Sequence, residues 1–168
     1  MSITDFGVRG PRHVPGESEG GPARCIGRAT SARAATLLGK ADRLLSAAAG
    51  ADTAPERFRL AYLAALRGAG AVVAAAELRA PQRPARRPAT RNAWVLMARA
   101  DDSFAAWADY FADRSSMRTA IEAGVAGAVD VARSGEFYDE VGRFLHDVEG
   151  YLDSDQNSGD DARIASAR

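Results

Sequence analysis

Apolar side chains recur every three to four residues in stretch after stretch of this chain, and nowhere do they alternate with polar ones. A period near 3.6 builds a helix with one buried face, whereas a period of two would build a strand. The expected fold is therefore all-α, an up-and-down bundle of four to five helices with disordered termini. The first stripe is Leu37, Leu38, Ala41, Leu44, Leu45 and Ala48, with Ser31 available as a start and Gly50 as a stop. The second begins near Ala54-Pro55-Glu56 and carries Phe58, Tyr62, Leu66, Ala69, Val73 and Ala76. Proline suits a first turn, where no amide donor is needed. Gly68 and Gly70 lower helix propensity here, and a neighbouring helix packed closely against them would explain both. A short helix capped by Thr90 holds Trp94, Leu96 and Met97. Another, opened by Asp101, Asp102 and Ser103, runs through Phe104, Trp107, Ala108 and Phe111, then bends near Ser115-Ser116 toward Met117, Ile121 and Val125. The last stripe is the cleanest: Phe137, Val141, Phe144, Leu145, Val148 and Leu152. Val131 and Ala132 could extend it toward Asp130.

Residues 1–28 are rich in Gly, Pro and Arg without a period and are expected to be a disordered leader. Residues 29–153 form the expected bundle, and 154–168 an acidic, disordered tail. Nothing near the N-terminus resembles a signal-peptide core, and no apolar run approaches a membrane span, the longest Ala/Val stretch being Ala71–Ala76. The single cysteine, Cys25, excludes an intrachain disulfide. The expectation is a cytoplasmic protein without membrane contact.

Charge is zero in sum but unevenly spread. Residues 1–100 hold 16 basic and 7 acidic side chains, and residues 101–161 hold 4 and 15. Basic and acidic helices pairing within one bundle account for this, and self-association or a partner for the basic face are the alternatives. The densest basic stretch, residues 79–91, has Arg79, Arg83, Arg86, Arg87 and Arg91 with three prolines and no acid. Guanidinium groups on an extended connection can contact successive phosphates, and Trp94 just beyond could offer a stacking face. The competing reading is a solvated linker with Trp94 buried.

Sites for other chemistry are missing. Histidine is the usual general base, and there are two. His13 falls in the leader, and His146 falls on the polar side of the last helix. There is no HExxH, CxxC or paired Glu-x-x-His, so no metal and no cofactor are expected. Asp153-x-Asp155-x-Asn157 begins like a calcium loop, but Ser158 and Ile164 stand where glycine and glutamate are required. Gly39-Lys40 lacks the rest of a phosphate-binding loop. Asp101-Asp102 and Asp139-Glu140 read as a helix cap and a solvated face.

Four stretches together carry a family resemblance. They are Pro55-Glu56-Arg57-Phe58-Arg59-Leu60-Ala61 with Ala64-Ala65-Leu66-Arg67-Gly68-Ala69, then Asn92-Ala93-Trp94-Val95-Leu96-Met97, then Phe104-Ala105-Ala106-Trp107-Ala108-Asp109-Tyr110-Phe111-Ala112, and Phe144-Leu145-His146-Asp147-Val148-Glu149. Their order and spacing over residues 30–153 resemble the short actinobacterial HEPN-domain proteins. The resemblance implies a bundle of four or five helices, a homodimer, and in many members a metal-independent ribonuclease with an Arg-x4–6-His motif. Arg91-Asn92 looks like the start of that motif, but Leu96, Met97 and Ala98 occupy the positions due to the histidine. Arg143 precedes His146 at the wrong spacing. The reading is a non-catalytic HEPN-like module that binds RNA or a protein partner, in a regulatory role. A ribonuclease with an atypical site and a purely structural interaction module remain as alternatives.

Overall fold

A computed structural model describes the backbone of residues 22–79 and 90–166, and the side chains of 31–77, 79 and 90–154. Among these residues there are helices and no strands. They are α1 (Pro22–Ala49), α2 (Ala54–Arg79), α3 (Ala93–Ala100), a 3-10 turn (Asp102–Phe104), α4 (Ala105–Asp113), α5 (Ser115–Glu122) and α6 (Val131–Ser166). The chain is an all-α bundle.

Local sequence sets the ends. Thr53 Oγ1 accepts from Glu56 N at 3.3 Å at the start of α2, with Pro55 in the first turn. Asn92, not Thr90, caps α3, accepting from Trp94 N at 3.0 Å, while Thr90 Oγ1 accepts from Asn92 N at 3.1 Å. Asp101 holds the 3-10 turn through Ser103 N at 3.0 Å. Asp130 opens α6 by accepting from Arg133 N at 2.8 Å. Residues 123–130 turn through Gly124 and Gly127, both at φ 72°, where a side chain would be strained. Val125 and Val131, expected to extend apolar stripes, are 55% and 70% exposed. That turn carries them off the buried faces.

α1 begins at Pro22, inside the stretch read as leader, and α6 continues through the stretch read as tail. Residues 101–125 form two helices rather than one bent helix. The break is local: Ser115 Oγ donates back to Phe111 O at 3.4 Å, and Arg114 N bonds Phe111 O at 3.2 Å in a tightened turn.

α2 lies at the centre, touching α1, α3, α5 and α6. Phe58 stacks on Phe137 at 4.2 Å, Gly68 faces Phe144 and Leu145, and Arg79 lies 4.3 Å over the Tyr151 ring, so α2 and α6 run the same way. Trp94 meets Tyr62 while Asp101 meets Arg79, so α3 also runs with α2. α1 and α4 run against them. The basic connection is therefore a crossover that returns the chain along α2.

The close approach at Gly68 is as its sequence implied. A Cβ there would stand 2.6 Å from Leu145 Cδ2 and 2.7 Å from Phe144 Cε1. α2 also changes the membrane reading, because Ala54–Glu77 is long and apolar enough to span a bilayer by composition. Most of that helix lies inside the bundle, with 61% of its most apolar window buried.

The core is small residues on α2 under a ring of aromatics. Ala61, Ala64, Ala65, Ala69, Ala71, Val72, Ala74 and Ala75 are all buried. Around them Phe58, Tyr62, Trp94, Phe104, Phe111, Phe137 and Phe144 pack in stacked and edge-to-face pairs. Leu45, Leu66, Val73, Trp107 and Ile121, expected in the core, are half-buried at its edge.

Candidate functional site

The five arginines of the basic stretch fall in different settings. Arg79, the last residue of α2, is engaged: Nη1 lies 3.2 Å from Asp101 Oδ2, and its guanidinium covers the Tyr151 ring. Asp101 is the hub of that cluster. Hydrogen bonds from Ser103, first through its hydroxyl and then its backbone, hold the Asp101 carboxyl below the ordinary aspartate value, with help from Tyr151 and Arg79. The cluster ties the end of α2 to the α3–α4 turn and to α6. Arg83, Arg86 and Arg87 lie outside the described residues. Arg91 is exposed just before α3, and Arg99 is exposed two turns on, with Val95 between them at 37% exposure.

Trp94 does not offer a stacking face. It is 4% exposed, stacks on Phe111 at 4.8 Å, and its Nε1 donates to Tyr62 Oη at 3.0 Å. The same Tyr62 hydroxyl meets Ser115 Oγ at 2.8 Å. One buried hydroxyl thus joins α2, α3 and α5 and satisfies the indole donor. These partners are 32 and 53 residues away, so no local signal in the sequence announces them.

At the positions due to the HEPN histidine, Met97 is fully buried and Leu96 is half-buried. A thioether cannot exchange the proton that phosphodiester cleavage moves between oxygens. His146 stands elsewhere, on α6, 85% exposed with Nδ1 3.8 Å from Glu149 Oε2. It lines a groove with Trp107, Arg143 and Asp147. Among the described residues no cluster of His, Cys, Asp and Glu could hold a metal ion. The Asp153–Asn157 stretch is helical in backbone, which is not the form of a calcium loop.

The nearest thing to a described surface site is thus the outer edge of α3, arginine-flanked and set on a rigid aromatic core. The helical bundle and the Arg91-Asn92 pair leading into a short helix are in keeping with the resemblance carried by the sequence. A family model agrees: residues 48–149, more than half of the chain, match the SAV_6107-like HEPN family. The chain belongs to that family. The matched stretch runs from the end of α1 into α6. No curated protein and no solved structure matches the chain significantly.

Proposed function

We propose that this HEPN domain is non-catalytic and acts by binding RNA through an arginine surface on the α3 side. The observation that carries the reading is the pair of exposed arginines, Arg91 and Arg99, beside a buried Met97 at a position due to the histidine. Arginine recognises phosphate without needing to titrate, and binding survives loss of the proton shuttle where cleavage does not. Arg83, Arg86 and Arg87 would add contacts along the backbone of the same strand. Arg79, already engaged by Asp101, anchors the connection instead.

The test is a titration of single-stranded RNA with the full chain across a salt series. Counterion release predicts a slope of about −0.7 per phosphate neutralised, so five arginines give roughly −3.5. Neutralising Arg83, Arg86 and Arg87 together should reduce that slope by about 2. Total RNA incubated with the protein should stay intact. Cleavage that disappears with Arg91→Ala would establish a ribonuclease and refute the non-catalytic reading. Binding with no salt dependence would refute the arginine surface.

A further inference from the structure

On the solvent side of α6, between α1 and α4, lies a shallow, wide-open groove of about 710 Å³. Leu45, Trp107 and Tyr138 form apolar walls, and Gly142 leaves the floor without a side chain. Trp107 is fixed there, its Nε1 donating to Asp147 Oδ2 at 2.9 Å. Asp139 and Asp147 bring negative charge into the groove. The one arginine in the lining, Arg143, is paired with Glu140 at 2.7 Å.

One stretch of this chain has the complementary chemistry. Residues 80–89 hold three prolines and three arginines and no acid. In a polyproline II segment, with three residues per turn, Pro81, Pro84 and Arg87 fall on one face. Aromatic-walled grooves recognise such segments because the extended form is already low in entropy, and carboxylates beside the walls select the arginine. Within one copy both ends of the stretch are held on the α2–α3 flank, by the Arg79–Asp101 pair and by Thr90 beside the α3 cap. α6 packs on α2, and the groove faces away from that contact.

We propose that the groove between α1, α4 and α6 binds the Arg/Pro stretch 80–89 of a second copy of the chain. The walls of Trp107 and Tyr138 take the prolines, and Asp139 and Asp147 take the arginines. RNA and the groove then compete for the same guanidinium groups, so self-association and RNA binding oppose one another.

The experiment uses a fluorescent peptide of residues 79–91 and the full chain carrying Arg83→Gln, Arg86→Gln and Arg87→Gln, so that its own stretch does not compete. Saturable binding is expected, with a shift in tryptophan emission from Trp107. Asp139→Lys should weaken it about tenfold or more, since a like charge faces the peptide. Asp139→Asn with Asp147→Asn, which keeps an oxygen for the Trp107 indole, should weaken it in the same direction. Raising salt from about 0.01 M to about 0.15 M shortens screening from about 30 to about 8 Å and should also weaken it. In light scattering, the otherwise unaltered chain should be a dimer that Asp139→Lys dissociates and added Arg87→Glu restores. Absent peptide binding, or binding indifferent to the groove variants while their circular dichroism is unchanged, would overturn the proposal. A monomer at all concentrations would overturn the second copy as occupant. No RNA is present, so this outcome and that of the RNA titration are independent.

Discussion

Gly68→Ala and Gly70→Ala are the same chemical change two residues apart on α2, and they should move stability in opposite directions. In an exposed helix either would gain about 1 kcal/mol from propensity. At Gly70 the new Cβ would stand 3.5 Å from Leu37 Cδ1, an ordinary contact, so that gain survives. At Gly68 it would stand 2.6 Å from Leu145 Cδ2 and 2.7 Å from Phe144 Cε1, where carbon atoms prefer about 3.5–4.0 Å. Relief needs a shift of about 1 Å, by the side chains or by α6 itself. Leu145 is 4% exposed and Phe144 fully buried, the latter wedged against Phe111 at 5.0 Å and Trp107 at 5.5 Å. Those rings leave Phe144 little room to rotate away. Overpacking of this kind costs about 1–3 kcal/mol, and so tight a site belongs at the upper end, leaving a net loss of about 2 kcal/mol. For a domain of this size that lowers Tm by about 4–8 °C, against a rise of about 2–4 °C for Gly70→Ala. Thermal melts followed by circular dichroism measure both. The double variant Gly68→Ala with Leu145→Ala should lose less than the two changes summed, because the second removes an atom that the first collides with. Equal or higher Tm in Gly68→Ala than in Gly70→Ala would refute the α2–α6 approach.

Three further changes test other contacts. Leu145→Ala alone should cost about 2–5 kcal/mol as a large-to-small core change, read from a denaturant melt. Tyr62→Phe strips the partner from the buried Trp94 Nε1 and from Ser115, and should cost about 1–3 kcal/mol with a changed near-ultraviolet dichroism. Asp101 has its carboxyl held below the ordinary 3.8, so its contribution is full above that value and is lost as pH falls through the depressed folded value. Asp101→Asn should therefore lower Tm at neutral pH and flatten the fall in Tm on acidification, and an unchanged acid limb would refute the hub.

The bundle was legible where a helix has one buried face. All six apolar positions read from the last stripe, Phe137 to Leu152, are buried. α2 was legible as a helix but not in its burial. Reading a single stripe put Leu66 and Val73 inwards, yet both are half-buried while Ala64, Ala71 and Ala74 are fully enclosed. A central helix has several buried faces, and neighbours come closest where side chains are smallest, so the largest residue is not the deepest one. Gly68 carried the needed hint, since the helix keeps it small where Phe144 and Leu145 come closest, whereas Gly70 meets only an ordinary contact with Leu37.

The site was less legible because its chemistry depends on contacts across the fold. Arg79 reads in the sequence as the first of five equivalent guanidinium groups, and only the return of α3 alongside α2 brings Asp101 to it. Trp94 reads equally well as a stacking platform or a core residue, and the Tyr62 hydroxyl, 32 positions earlier, decides for the core. The missing histidine is different in kind, because a fixed offset from Arg91 is a local property and needs no fold to read. The crossover also gives the basic stretch a mechanical reason to exist. From the level of Arg79 back to that of Tyr62, the chain must cover about 25 Å of α2 at 1.5 Å per residue. The 13 residues 80–92 reach about 40 Å when extended. That reach exceeds the distance by about 15 Å, so a connection of this length suffices for α3 to run alongside α2.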